Sequence, residues 1–234
     1  FLSRERLMEK RKDFGPYNFA CQMLLNPVAE DAQGFRREWL RYWNAAPDLW
    51  QGMNRVILVD PASSKKKDSD YTVMAVMGWH EDRNLYCIHG ERARLNLTER
   101  AASLFRLVRR FNPLFVGYEQ YGMQSDIEHI QSEMQRRNYH FNIMPLGGKT
   151  AKSDRIRRLI PWFEKGRFFL PSVANFKDES GIIRNFTTLL VEEEYESFPV
   201  SAHDDMLDCL ARAVDPEVSV HFPESVDGRG PQEK

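Results

Sequence analysis

Three apolar runs follow one another between residues 55 and 92, and this stretch restricts the possible folds most strongly. The runs are RVILVD, YTVMAVMGW and NLYCIHGER. Short apolar runs bounded by polar turn residues are typical of buried strands. A polar turn at Asn84 separates the second run from the third, as in a hairpin. The three runs therefore predict an antiparallel meander.

Helical and extended segments alternate after the meander. The helical patterns are LTERAASLFRLVRRF (opened by Thr98 or a neighbour), MQSDIEHIQSEMQRRN, KSDRIRRLIPWFEKG, ESGIIRNFTTLLVEEE and DMLDCLARAV. The extended ones are LFVGYE, FNIMPL and RFFLP. Since the later strands are joined through helices, the sequence predicts an α/β fold with a mixed sheet flanked by helices.

The 234 residues divide into an arm, one domain and a tail. Residues 1–50 are expected to form helical and irregular pieces that pack on the domain; their aromatic residues at helical spacing are Phe35, Trp39, Tyr42 and Trp43. The domain spans 51–222, and the polar tail 223–234 is expected to be disordered. The chain lacks an initiator Met, which suggests a fragment of a longer protein.

Composition and motifs argue against several classes of protein. The net charge of -1 gives no overall signal for binding nucleic acid or a membrane surface. The sequence contains no run of about 18 apolar residues that could span a membrane. Cys21, Cys87 and Cys209 form no CxxC pair, which favours reduced thiols in a cytosolic setting. The six histidines lack zinc-ligand spacing, and GxSxG is absent. GGKT at 147–150 lacks the first glycine of a phosphate-binding loop, because Ile143 stands there.

Two strands end in an acidic residue. Asp60 closes RVILVD and Glu119 closes LFVGYE. Strand-end acids of α/β sheets face the crevice where ligands bind, although a single one is also an ordinary turn residue. Asp70, at the start of the second strand, could lie beside Asp60 or simply cap a turn.

Asp204, Asp205 and Asp208 crowd the start of the last helix, in HDDMLDCLARAV. The helix dipole favours acids in the first turn, which explains one or two of them. Asp208 lies deeper among apolar residues, where clustered carboxylates need a compensating cation. Mg²⁺ prefers such oxygen ligands, so we expect a metal site here. His203 beside the acids could orient a water or have no role.

Basic residues surround the GGKT segment. As a basic edge they would contact a phosphate backbone, and as an ordinary helix face they would only be solvated. Those predicted to contact DNA are Lys149, Lys152, Arg155 and Arg158.

These motifs together resemble the nuclease domain of the large terminase subunit of tailed bacteriophages, which has the RNase H-like fold. The resemblance covers residues 17–214. The segments that carry it are VILVDPASSKKKDSDYTVMAVMG, FVGYEQYG and SAHDDMLDCLARAV, with FACQMLLNPV, FRREWLRYW and KTAKSDRIRRLIPWFEKGRFFLP in support.

The resemblance implies an endonuclease that cleaves double-stranded viral DNA concatemers during packaging, with two Mg²⁺ or Mn²⁺ ions. Its catalytic metal ligands would be Asp60, Glu119, Asp205 and Asp208, with Asp204 the least secure of the acids. The implied partners are DNA, the ATPase half of the polypeptide, the small terminase subunit and the portal, at the procapsid in the host cytoplasm. The alternatives are a resolvase- or transposase-like nuclease of the same fold, and a DNA-binding or docking module whose acids are structural.

Overall fold

The structure is a computed structural model that describes residues 34–62, 71–120, 124–148 and 150–224. Four expectations concern residues outside these ranges: the first part of the arm (1–33), Asp70, Lys149 and the tail from 225 onward. Within the described ranges, no helix has both the length and the apolarity that crossing a bilayer requires.

The described residues form a seven-stranded mixed sheet and a separate two-stranded hairpin. The sheet order is β1-β7-β4-β3-β2-β5-β6, and β8 pairs with β9. The central strands β2, β3 and β4 are antiparallel, whereas β5, β6 and β7 join as parallel neighbours. The strands are β1 (Tyr42–Trp43), β2 (Asn54–Asp60), β3 (Thr72–Trp79), β4 (Leu85–Ala93), β5 (Phe115–Glu119), β6 (Ile143–Leu146), β7 (Phe168–Pro171), β8 (Asn175–Lys177) and β9 (Ile183–Asn185).

Helices cover both faces of the sheet. The α-helices are α1 (Pro47–Trp50), α2 (Leu97–Phe111), α3 (Gln124–Arg137), α4 (Lys152–Arg157), α5 (Ile160–Glu164), α6 (Phe186–Leu189) and α7 (Asp205–Ala211). One apolar cluster joins the sheet to α4, α5 and α7, and a second joins its opposite face to α2 and α3. Helix α2 begins with a capping box between Asn96 and Glu99, and the cap lies two residues before the predicted Thr98.

Three predicted helical segments are wrong in detail. Residues 34–43 form a 3-10 turn (Arg37–Trp39) and strand β1 instead of a helix, because Tyr42 and Trp43 pair with β7 and add an edge strand to the sheet. The helix predicted over 152–166 is broken into α4 and α5, since Pro161 lacks an N–H and disfavours helical backbone before it.

The third segment, 179–194, was predicted as one helix. It begins with a turn at Gly181, where φ is +78°, and continues into β9 before α6 and a π-helical segment (Leu190–Tyr195). Asn185 ends the strand and accepts a hydrogen bond from the N–H of Thr187, which starts the helix there.

Candidate metal centre

Three carboxylates from three separate elements converge at the carboxyl ends of the strands β2 and β5. Oxygen atoms of Asp60, Glu119 and Asp208 all lie within 4.8 Å of one another. Asp60 ends β2, Glu119 ends β5 and Asp208 lies in the middle of α7. Glu119 and Asp208 are buried, and Asp60 is partly buried. We refer to these three residues as the carboxylate cluster.

The strand register explains why two of these acids meet. Val59 pairs with Tyr118 across parallel strands, so the next residues, Asp60 and Glu119, lie side by side at the carboxyl edge. Side chains alternate between the two faces of a strand. Since Val59 and Tyr118 pack with α2 and α3, the two acids point to the opposite face, where α7 packs.

Helix α7 is fixed against the sheet at both its side and its start. The Cys209 thiol lies 3.5 Å from the Leu58 carbonyl oxygen. The carboxylate of Glu194, from the π-helical segment, accepts hydrogen bonds from the N–H groups of Met206 at 3.2 Å and Leu207 at 2.8 Å. Because the Glu194 carboxylate satisfies these first-turn donors, the N-cap residue Asp204 makes no capping hydrogen bond. Its side chain can therefore contact other groups of the site.

Two buried arginines contact the carboxylate cluster. Arg155 of α4 donates to both oxygens of Asp208, at 2.6 and 2.5 Å, and its guanidinium also lies 3.5 Å from Glu119. Arg212, which follows α7, donates to Glu119 at 2.6 Å. Two of the three acids therefore have a cation in place, and the bidentate geometry holds Asp208 in a fixed orientation.

Asp60 is the acid of the cluster without such a partner. No described residue donates a hydrogen bond or forms an ion pair to it. Burial, and then the charges of Glu119 and Asp208, raise the pKa of Asp60 well above its ordinary value. The charge of Lys152 lowers this pKa, but by less than burial and the neighbouring carboxylates raise it, and a divalent cation that binds oxygen ligands would supply further positive charge. The donor set of the carboxylate cluster therefore fits Mg²⁺ or Mn²⁺.

Asp205, a predicted ligand, has a different environment from Asp208. The Lys152 ammonium lies 2.7 Å from Asp205 Oδ1 and 2.7 Å from Asp204 Oδ1. The other oxygen of Asp205, Oδ2, is buried and has no hydrogen-bond partner among the described residues. Burial alone would lower the pKa of Lys152, but its bonds to Asp204 and Asp205 raise that pKa above its ordinary value.

The basic residues predicted to contact DNA have several different environments. Lys152 and Arg155 contact aspartates of the site, and Arg155 is buried rather than placed on an exposed edge. Arg158 is about a third exposed; its guanidinium lies 3.6 Å from Asp215 and 3.3 Å from the Thr150 hydroxyl.

His203, the remaining candidate, lies edge-to-face with Tyr71, with 5.5 Å between ring centroids. The structure thus gives the His203 ring an aromatic neighbour beside the acids.

Sequence reasoning missed Arg212 and Glu194. Arg212 follows Asp208 by four residues, so their spacing on one helical face was a usable signal. Glu194 belongs to the run VEEEYE, where nothing local distinguishes the buried capping glutamate from its exposed neighbours.

The fold is similar to that of viral terminase nuclease domains. Among solved structures, the human cytomegalovirus terminase nuclease domain matches with a TM-score of 0.52 and 12% identity, covering 77% of this chain and 93% of that one. The same domain soaked with Mn and bound to an inhibitor gives a TM-score of 0.52 at 13% identity, with the same coverage. The large terminase nuclease from thermophilic phage G20c gives 0.47 at 18%, covering 74% and 92%.

No family model and no curated protein matches the chain. At such low identity the structural similarity establishes the fold and leaves residue roles to the geometry of the site. The predicted fold class, an RNase H-like mixed sheet flanked by helices, is confirmed, as is the predicted resemblance to terminase nuclease domains.

Proposed function

We propose that this chain is a metal-dependent endonuclease that cleaves double-stranded viral DNA concatemers during genome packaging. The observation that carries the proposal is the carboxylate cluster: three acids from β2, β5 and α7 lie within 4.8 Å. One of them, Asp60, receives no hydrogen bond and forms no ion pair among the described residues. Such a group is costly to bury without a cation and is suited to hold one. The fold shared with a terminase nuclease domain that was soaked with Mn supports the same assignment.

The residues of the site divide into ligands and residues that orient them. Asp60, Glu119 and Asp208 would hold one ion, and Asp205, with its unpartnered Oδ2, would contribute to a second. Bound there, Mg²⁺ or Mn²⁺ would polarise a water and stabilise the charge that develops on the phosphate and the leaving oxygen. Arg155 and Arg212 fix the orientation of Asp208 and Glu119 through their hydrogen bonds.

The DNA backbone would approach where basic side chains remain accessible beside the acids. Lys152 and Arg158 have about a third of their side chains exposed, which suits contact with a phosphate. Lys149 belongs to the same segment and is proposed for the same role. Arg155 would act on the strand only indirectly, by holding Asp208.

We further propose, from the resemblance, the setting in which this activity operates. The nuclease would act beside an ATPase half of the same polypeptide, with the small terminase subunit and the portal, at the procapsid in the host cytoplasm. The ATPase half would translocate the DNA, and the described domain would cut it.

Cleavage of plasmid DNA tests the proposal. We expect cleavage with Mg²⁺ or Mn²⁺ and none with EDTA. Asp60→Asn, Glu119→Gln and Asp208→Asn should each lose activity by about a hundredfold or more, because each removes a charged ligand. Glu164→Gln is a matched control, since Glu164 is an exposed acid of α5 outside the cluster. Activity that survives in Asp60→Asn would contradict the assignment.

Two further arms separate the alternatives. Four-way junctions offered beside linear duplex would be cleaved preferentially by a resolvase-like enzyme and not by the proposed one. A DNA-binding module with structural acids would show no melting shift with Mn²⁺, whereas a metal that binds only the folded protein adds about 2.7 kcal/mol at a hundred times its Kd.

A further inference from the structure

Helices α4 and α7 meet through two matched charge pairs. Lys152 and Arg155 are three residues apart on α4, and Asp205 and Asp208 are three residues apart on α7. Residues at this spacing share a helical face. Lys152 contacts Asp205 at 2.7 Å, and Arg155 contacts Asp208 at 2.5 Å.

The two pairs differ in how firmly they are held. Arg155 is 3% exposed and forms a two-pronged contact with Asp208. The Lys152 side chain is 36% exposed and reaches the acids through single contacts from a flexible stem. Arg155 is therefore a permanent part of the site, whereas Lys152 has room to leave it.

The lysine lies where a cation is needed. Its ammonium bridges Asp204 Oδ1 and Asp205 Oδ1, at 2.7 Å from each. Asp205 is 5% exposed, and its Oδ2 remains buried without a partner among the described residues. Its charge also acts on Asp60 of the carboxylate cluster. Asp205 thus presents one neutralised and one unsatisfied oxygen beside the proposed metal ligands.

We propose that the Lys152 ammonium occupies the second cation position of the site, so that the DNA-free protein binds one divalent ion, at the carboxylate cluster. This inference rests on the proposed function and concerns how its site is loaded. A divalent ion on Asp205 would lie within a few ångströms of the ammonium, and the two positive charges would repel each other strongly in a partly buried setting. The second ion enters when Lys152 moves away.

A DNA phosphate is the group that would draw Lys152 out. It offers the ammonium a new anionic partner and arrives at the accessible side of the site. Binding of the second ion is then coupled to substrate binding, so the two-ion centre does not form in the absence of DNA.

Titration calorimetry of the full chain with Mn²⁺ alone, with free Mn²⁺ counted by electron paramagnetic resonance, tests the proposal. The parent should bind one ion tightly. Lys152→Gln, which removes the charge, should gain a second ion or bind it about tenfold tighter or more. Lys152→Arg, which keeps the charge, should resemble the parent. Lys165→Gln is the matched control, because Lys165 is an exposed lysine just after α5.

Each outcome has a distinct meaning. Two tight ions in the parent, or identical titrations of the parent and Lys152→Gln, overturn the proposal and leave the nuclease assignment intact. A second ion in Lys152→Arg overturns the explanation by charge. If no variant and no parent sample binds Mn²⁺, the nuclease proposal itself fails. The parent titration alone decides the main point should Lys152→Gln fold poorly, which circular dichroism would reveal.

Discussion

Removing the Arg155 guanidinium tests how the buried acids of this fold are compensated. Arg155→Met keeps most of the side-chain volume but leaves Asp208, whose side chain is 4% exposed, without its two hydrogen bonds. Breaking a buried ion pair from one side typically costs about 3–5 kcal/mol, because the remaining charge is stranded. Part of that cost falls on Glu119, which lies 3.5 Å from the same guanidinium. We expect a loss of about 3–5 kcal/mol in the free energy of unfolding.

Urea unfolding at pH 7 with EDTA measures this loss, and a double-mutant cycle identifies its source. Asp208→Asn removes the stranded charge, so Arg155→Met with Asp208→Asn should recover about 2 kcal/mol or more relative to the arginine change alone. Arg136→Met provides the matched control: Arg136 pairs with Glu133 on the surface, where the change should have little effect. The reasoning is refuted if Arg155→Met costs no more than this control, or if the two changes at the site simply add.

Three further predictions follow from single positions. Burial raises the pKa of Glu194 to about 7, so its contribution to stability is complete below about pH 4.5 and is lost as the pH rises through 7. Glu194→Gln removes this pH dependence. The variant's free energy of unfolding minus that of the parent should therefore increase by about 2–3 kcal/mol from pH 5 to pH 8, and a difference that does not change with pH would contradict the prediction. Because the folded pKa of Asp60 is also raised, Asp60→Asn should raise the Tm of the metal-free protein at pH 8 while abolishing the Mn²⁺-induced shift; a lower Tm would be the contrary result. Gly90→Ala places a Cβ 2.4 Å from the Phe186 ring and should cost about 1–3 kcal/mol in thermal unfolding, whereas Gly52→Ala, with open space around it, serves as the control.

The elements that carry the site were predictable because their signals are local. A short apolar run that ends in an acid indicates a buried strand whose last residue is that acid. Both Asp60 and Glu119 are the last residues of their strands. Helix α2 has the bounds that its apolar period indicates, Leu97–Phe111. The pairing of β3 with β4 follows from the short turn at Asn84, and the tendency of consecutive strands to be neighbours favours the pairing of β2 with β3 across residues 61–71.

The pairing of charges at the site was not predictable from local pattern. The acids of α7 were expected to need a cation. In the structure, the chain's own side chains provide positive charge: Lys152 at Asp205 and Arg155 at Asp208. Those same basic residues were interpreted as an exposed edge for DNA, because sequence spacing does not reveal which surface a helical face meets. The strand β1 was missed for a related reason: Tyr42 and Trp43, the last two of four aromatic residues predicted to share a helical face, pair with β7 instead.

Anomalous diffraction from a Mn²⁺-soaked crystal tests the central claim most directly. The account predicts a peak about 2.0–2.2 Å from one oxygen each of Asp60, Glu119 and Asp208, the distance expected for a small divalent ion on oxygen ligands. A peak absent from that position, or Mn²⁺ bound only at Asp204 and Asp205, would contradict it.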